Sequence, residues 1–549
     1  MPTADPPEPA RPLSSNQPSA AAVSRNGRVT DAPQTFRSLL FGSSEANPGL
    51  GRRQEPECFG DLNLDQLVAS VVARKQPYEL APFFYTPLAE VDAIRFRQEV
   101  FIDLERPDVL NLANSFAKQE LVSHYGYQQK AMSRDDSRFG HYHRARAFLN
   151  TTLNYVETIE ALTTGLGAAE IRSRGMLGLR AYLEGYTQGD AFRALYDQSR
   201  ELDEELDRVR YTFLINGSRI TVGPYDDEQP DYSAEVSDTF ERFRQEAVRS
   251  YLPEFNDWDA FSGIGVLYLV AQLYPELFAR LDRFCREHAQ YLDHTIAVLD
   301  RELQFYLGYL EYIQPLRDAG LSFSYPQLSV DAKVEQALDT FDLVLASQRV
   351  RERATVVCND LTLDGSERII VVTGPNNGGK TTMARTIGQL HYLARLGCPV
   401  AGRETRLFVC DQVFTRFERR EDISTLEGKL QDELNRLRDA LQAATASSLF
   451  VLNEMFNSTT AQDALFLSRE ILEQVSDLDA LCVCVTFLDE LATFDERTVS
   501  MVSSVDPTDP AVRTYKVIRR PADGRAYARA LAEKYGLTYQ QLTSRGAAA

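Results

Sequence analysis

The spacing of apolar residues divides the chain into stretches of different texture. Residues 1–57 carry no periodic apolar pattern and are rich in Pro, Ala, Ser, Asn and Arg. Such a stretch buries too little surface to offset the entropy of ordering, so it is expected to be a disordered tail. From about Asp61 to Val334 the pattern is mainly helical, with short periodic segments at 64–75, Ala145 to Leu166 and 178–186. The longest run places Phe278, Leu281, Cys285, Leu292, Ile296, Leu299, Leu303, Leu307, Leu310 and Ile313 at steps of three or four, with His288 filling the one gap. Bounded by Pro275 and Pro315, it predicts a single helix from Glu276 to Ile313, about 57 Å long at roughly 1.5 Å per residue, which would serve as a strut or lever. Alternating apolar residues on either side of Asn216-Gly217 predict a small hairpin followed by a polar, acidic loop. After about Leu338 strand, Gly-rich turn and helix alternate, as in an α/β domain with a mostly parallel sheet. The expected organisation is therefore a tail (1–57), a mainly α-helical domain with a β insertion (58–334) and an α/β domain (335–549).

The α/β part holds the most specific chemistry. Arg368 to Thr373 is a buried-strand pattern, followed by Gly374-Pro375-Asn376-Asn377-Gly378-Gly379-Lys380-Thr381-Thr382 and a helix that Gly397 ends. This is G-x4-G-K-[ST] in its required strand–loop–helix setting. Glycines let backbone N–H groups approach phosphate and the helix N-terminus adds positive potential. Lys380 would meet β/γ oxygens, and Thr381 would ligate Mg²⁺. The implied ligands are ATP and Mg²⁺. A second apolar run, Ser448 to Leu452, ends in Asn453-Glu454. Glu454 is the candidate general base for an attacking water, unless it simply closes a strand. Asn453 stands where an Asp usually holds the Mg²⁺ shell, so it would act through a water ligand.

Composition narrows the remaining classes. At 549 residues with 44% hydrophobic and 25% charged residues the chain is of ordinary globular type and long enough for several domains. The longest uncharged stretch, Ala260 to Pro275, is too short and too polar for a membrane span, and the N-terminus lacks a secretory pattern, so no membrane association and a cytoplasmic location are expected. Seven scattered cysteines read as reduced core residues; Cys482 and Cys484, two apart in an apolar run, should share one face of a strand. A net charge of −20 means that any nucleic-acid contact must be a local patch. His141 to Arg146 and the run Arg513, Lys516, Arg519, Arg520, Arg525, Arg529 are the basic candidates, and solvated faces explain them equally well.

Gly374 to Thr381, Leu393 to Val400 and Asp411-Gln-Val-Phe-Thr-Arg416 together resemble the ATPase domain of the MutS family of DNA mismatch-repair proteins. Asn359-Asp360, Thr459 to Leu465, Lys516 and Asp523-Gly524 extend the similarity, which runs from about Leu338 to Leu542. Pro87 to Gln98 and the long helical run resemble, more faintly, that family's core and lever domains. The resemblance implies an ABC-type P-loop ATPase domain, a homodimer of heads, and a serine reaching the partner's nucleotide. Ser424 is the candidate, although Ser424-Thr-Leu-Glu427 is equally a helix capping box. Three departures stand out: no place is expected for an N-terminal mismatch-reading domain, Asn453 replaces an Asp, and Thr486-Phe487 stands where the family has Thr-His. Two functions remain open, a DNA-binding ATPase in mismatch repair or recombination, with levers that clasp duplex or branched DNA, and a nucleotide-gated scaffold for a protein partner with little hydrolysis.

Overall fold

The computed structural model describes residues 36–42, 54–73, 75–132, 140–216, 219–225, 266–417, 428–509 and 512–522. The remainder of the tail, the acidic loop after the hairpin and Ser424 lie outside the described residues.

The helical region comprises α1 (Cys58–Leu62), α2 (Leu64–Val72), α3 (Ala81–Phe84), α4 (Val91–Leu104), α5 (Pro107–Ala117), α6 (Leu121–Met132), α7 (His141–Ala168), α8 (Arg174–Gln188), α9 (Asp190–Asp207), α10 (Pro275–Glu287) and α11 (His294–Asp318). The hairpin expected around Asn216 forms from β1 (Tyr211–Asn216) and β2 (Arg219–Pro224), antiparallel with Asn216 opposite Arg219. The single long helix does not. The chain breaks between Glu287 and His294 because Asp293 caps the second helix, its side chain accepting from the Ile296 N–H at 3.1 Å. Tyr182 donates to the same carboxylate at 2.6 Å. Tyr291, inside the break, is drawn into edge contacts with Tyr125 and Phe148. The three- and four-residue spacing continues across the break because both helices bury toward the same core. Pro315 lies within the last turn of α11 and does not bound it.

The tail is also shorter than expected. Phe36 to Gly42 belongs to the folded body, with Leu39 and Leu40 fully buried. Glu302 on α11 accepts from the Ser38 hydroxyl at 2.6 Å and the Leu39 N–H at 2.7 Å, while Tyr306 donates to the Leu39 carbonyl at 2.6 Å. Seven residues are too few to show a period, but two leucines flanked by aromatic rings bury enough to hold them.

The α/β part is built on a six-stranded sheet of β7 (Ile369–Thr373), β10 (Val413–Arg416), β11 (Leu449–Asn453), β12 (Leu481–Val485), β13 (Thr498–Val505) and β14 (Arg513–Arg519). Its order is β10-β11-β12-β7-β13-β14, parallel except for β14. Both faces are covered, so β7, β11 and β12 are apolar and buried along their length. Ile370, Val372, Leu449, Val451, Leu481 and Val483 face the large core shared with the helical region. Ile369, Val371, Phe450, Leu452, Cys482 and Cys484 face a smaller core under α14 (Lys429–Ala443) and α15 (Ala461–Asp477), so both sulfurs share one face as expected. Between β7 and β10 come α13 (Lys380–Arg395), β8 (Val400–Ala401) and β9 (Glu404–Phe408); β9 joins β4 (Gln327–Ser329), β5 (Glu335–Thr340) and β6 (Asn359–Leu363) in a second sheet. Two further elements complete the described fold, β3 (Phe323–Ser324), which pairs with β8, and α12 (Leu343–Arg351). No described helix is long and apolar enough to cross a membrane.

Buried charges sit at the seams. Burial raises Glu302 to about 7 and Asp300 to about 6, although Ser38, Leu39 and Arg97 favour the Glu302 anion. Burial also disfavours charge on His391 of α13, yet Glu335, 3.3 Å away, and Cys410 together outweigh it and raise the imidazole to about 10. A carboxyl raised above its unfolded value stabilises the fold least when ionised, so stability falls as pH climbs from about 4.5 through 7. The histidine contribution is complete below its ordinary value near 6.5 and declines as pH rises through 10, the same direction. Urea unfolding between pH 5 and 8.5 is therefore expected to show declining stability, on the order of 3 kcal/mol from Glu302 alone. Glu302→Gln should be more favourable relative to wild type at pH 8 than at pH 5; a difference independent of pH would refute the buried-acid account.

Candidate functional site

The loop from Gly374 to Gly379 leaves the C-terminal end of β7 and delivers the chain into α13. Its glycines are required by shape. Gly374 sits at φ +114°, and a Cβ there would lie 2.9 Å from the Ser503 carbonyl. At Gly378 an added Cβ would meet Ser503 Oγ at 2.1 Å and the Pro375 carbonyl at 2.9 Å. Gly379 (φ +94°) precedes the first helical residue. Ser503 on β13 donates to the Gly378 carbonyl at 2.6 Å, and Arg513 on β14 donates to the Asn376 carbonyl at 3.1 Å. Strands β13 and β14 thus shape the loop from behind. Asn359 secures β14 in turn, accepting from the Val517 N–H at 2.8 Å and donating to the Tyr515 carbonyl at 3.3 Å.

Lys380 opens α13 and is almost wholly buried. Its ammonium donates to the carbonyls of Gly374 at 2.9 Å and Pro375 at 3.3 Å and lies 4.0 Å from the centre of the Phe487 ring. Burial lowers Lys380 to about 8, against the pull of Glu454 and Asp489 and with the repulsion of Arg513 added. A half-desolvated cation over an aromatic face, at the end of a helix dipole, is a prepared site for an anion. Thr381 donates through Oγ1 to Asn453 Oδ1 at 2.9 Å, so the loop and the end of β11 present two hard oxygens side by side. Thr382 occupies the next position of the first helical turn, its carbonyl accepting from Thr386.

Glu454 follows Asn453 with a positive φ of +53°. Its N–H is held by the Val485 carbonyl at 2.8 Å and its Oε2 accepts from Asn457 at 3.3 Å. The loop residues 374–382, Asn453 and Glu454 are brought together at the C-terminal ends of β7 and β11, the two strands that flank β12, where ligands of parallel α/β sheets bind. Ser503 and Phe487 complete the surroundings: the first carries no sequence signal, and the second is marked only by its departure from Thr-His.

The basic candidates are placed differently. His141 contacts Asp282 at 2.8 Å, and Arg146 meets Asp203 at 2.6 Å and Asp207 at 3.4 Å. Arg513 holds the phosphate loop, Lys516 donates to the Cys358 carbonyl and Arg519 pairs with Glu367. These side chains serve internal contacts, and Arg513, Lys516 and Arg519 lie on strand β14. Arg525 and Arg529 are outside the described residues.

Comparison with known proteins places this geometry. The family model for MutS domain V matches residues 370–540. The DNA mismatch repair protein MutS of Halalkalibacterium halodurans is 31% identical over 195 residues, 35% of this chain and 22% of that protein. The protein of the same name from Shouchella clausii is 31% identical over 206 residues, covering 37% and 23%, and that from Brevibacillus brevis 34% over 129 residues, covering 23% and 15%. The matched segment therefore spans less than a quarter of each relative's length.

The packing behind the loop gives a direct test. Gly378→Ala must displace Ser503 or the loop itself, since no real Cβ tolerates a 2.1 Å contact. A loss of about 1–3 kcal/mol in stability and a weakening of nucleotide binding are expected. Gly378→Ala/Ser503→Gly, which removes the obstructing hydroxymethyl, should recover part of both in thermal denaturation and nucleotide titration.

Proposed function

We propose that the chain is a MutS-family protein, which the match of residues 370–540 to MutS domain V supports, and that it binds ATP with Mg²⁺ at the 374–382 loop and hydrolyses it. The observation that carries this reading is the convergence of the loop with the end of β11, where Thr381 and Asn453 touch at 2.9 Å and Glu454 is the next residue. Thr381 directly and Asn453 through water would hold Mg²⁺, whose chemistry when bound is to neutralise charge on the β- and γ-phosphate oxygens. The chain's own residues do the rest. Lys380 exchanges its contacts with the Gly374 and Pro375 carbonyls for phosphate oxygens, and loop N–H groups at the head of α13 take the others. Glu454 accepts a proton from the attacking water as that oxygen bonds the γ-phosphorus and the bond to the bridging oxygen breaks, giving ADP and phosphate.

On the same reading the protein acts on DNA as a homodimer of heads. The relatives' name supports it: each is a DNA mismatch repair protein. Ser424 would complete the partner's nucleotide site. A nucleotide-gated protein scaffold is the second reading, and two features favour it. Asn453 brings no negative charge to the metal shell, and the Phe487 ring covers the lysine where the family's histidine would stand. ATPase rate with and without duplex, mismatched and branched DNA at fixed salt separates the two: stimulation by DNA supports the first, and a low rate indifferent to DNA the second.

Two variants test the site itself. Lys380→Ala is expected to raise the ATP dissociation constant at least about tenfold, because the lysine that the loop pattern aims at the phosphates is gone. Glu454→Gln should keep ATP affinity while lowering turnover about 10²-fold or more. Unchanged affinity in the first, measured by titration with labelled nucleotide, would remove the loop from the mechanism; turnover within about twofold in the second would place water activation elsewhere.

A further inference from the structure

Glu433 lies on α14, twenty-one positions before Glu454, and has no place in the phosphate loop. Its neighbours on the same helix face, Leu430, Leu434 and Leu437, pack into the core under the sheet. A carboxylate at that position is costly unless it is paired and hydrogen-bonded. It is 5% exposed, and one oxygen, Oε1, has two tasks. It accepts from the Phe456 N–H at 3.2 Å and faces Arg416 Nε, at the end of edge strand β10, at 3.5 Å.

The Phe456 N–H belongs to the turn that presents Glu454. Glu454 and Phe456 both have left-handed backbone conformations, φ +53° and +59°, and neither is glycine. Side chains with a Cβ hold such a conformation only when surrounding contacts impose it. Two contacts do so. On the sheet side the Glu454 N–H binds the Val485 carbonyl, and on the α14 side the Phe456 N–H binds Glu433. Met455 between them and Phe456 itself are buried. Without the Glu433 oxygen the turn loses its bond to α14 and keeps only the weaker Thr459 N–H to Phe456 carbonyl bond at 3.3 Å beyond Met455, so relaxation of Phe456 toward an ordinary φ would swing the Glu454 side chain.

We propose that Glu433, held by Arg416, is a positioning residue for ATP hydrolysis that sets the Glu454 carboxylate through the backbone of residues 455–456. The proposal rests on the reading of Glu454 as the general base. It links the end of β10 and helix α14 to the reacting water without contacting nucleotide. A purely structural ion pair would do something else: its loss would lower stability and ATP affinity together and leave the turnover of the folded, saturated protein unchanged.

The test uses the full-length protein with Glu433→Asp, Glu433→Gln and Glu433→Ala. Asp keeps the charge opposite Arg416 but withdraws the oxygen by one methylene; Gln keeps an oxygen in place and gives up the charge. Asp and Ala are expected to lower kcat about 10- to 100-fold with KM and the ATP dissociation constant within about twofold, and Gln to restore most of the rate. If Ala does not fold, Asp alone decides. In the background of Glu454→Gln, where the base is absent, Glu433→Asp should cost no further turnover. Wild-type kcat in Glu433→Asp, a loss confined to ATP affinity, or losses that multiply with that of Glu454→Gln would overturn the proposal. Hydrolysis insensitive to Glu454→Gln would instead overturn the general-base reading and this proposal with it, so the two failures are distinguishable.

Discussion

The full burial of helix α13 is the constraint on which the rest of the structure depends. Its N-terminus carries the 374–379 loop at the surface, yet nearly every residue from Met383 to Ala401 is buried. Water cannot satisfy its polar groups, so the protein must. Arg385 donates to the Asp61 carbonyl at 2.9 Å, Gln389 to the Leu62 carbonyl at 2.9 Å, Tyr392 to the Phe84 carbonyl at 2.9 Å and Arg395 to the Leu88 carbonyl at 3.0 Å. Arg97 closes the far end by donating to the Leu396 carbonyl at 3.3 Å. Each contact reaches the helical region, so pulling that region from α13 would strand several buried donors and acceptors at about 1–3 kcal/mol each. The helical segments from Cys58 to Leu104 are in that sense the second wall of the nucleotide domain.

That arrangement explains what could be read in the sequence. The loop was legible because its pattern is local: Gly374, Gly379 and Lys380-Thr381 stand at fixed spacing between a strand and a helix. The sheet was legible from β-branched runs buried on both faces, such as Ile369 to Thr373. Ser503 was not legible, because the contact that makes Gly378 obligatory spans 125 residues. Neither was Glu433: Leu430, Leu434, Leu437 and Leu441 mark a buried helix face, but nothing local tells a carboxylate beside that face from its solvated neighbours before Arg416 and Phe456 are placed against it. The break before Asp293 was missed for a different reason. An Asp within a polar stretch is a capping signal, but the apolar spacing on either side stayed in phase, and periodicity reports which face is buried without reporting continuity.

The segment around Leu39 and Leu40 shows how far α13's needs extend. Arg97 is entirely buried and lies 5.1 Å from the Phe41 ring and 5.8 Å from that of Phe305. Its Nε donates to the Leu40 carbonyl at 2.9 Å while Nη1 serves the end of α13. A guanidinium with no access to water requires acceptors on every side. The 36–42 segment supplies one of them and also caps the Glu302 carboxylate, so a piece of apparently featureless chain satisfies two buried charges of opposite sign.

These charges are poorly explained as sources of stability. Replacing a buried ion pair by apolar groups of similar volume is often neutral or favourable, because desolvation offsets the attraction. Yet His391 with Glu335 and Arg416 with Glu433 join separate elements, and the charges of Arg97 and Glu302 face one another across α4 and α11. An apolar contact tolerates a shift of half a turn or one strand position at modest cost, since area is recovered elsewhere. A buried charge does not: moved by the same amount it loses its partners, and the desolvation cost stands alone. The pairs therefore discriminate between registers more strongly than they stabilise any one of them. Where the Thr381 and Asn453 oxygens meet at 2.9 Å across two separate strand ends, that discrimination is the more useful property.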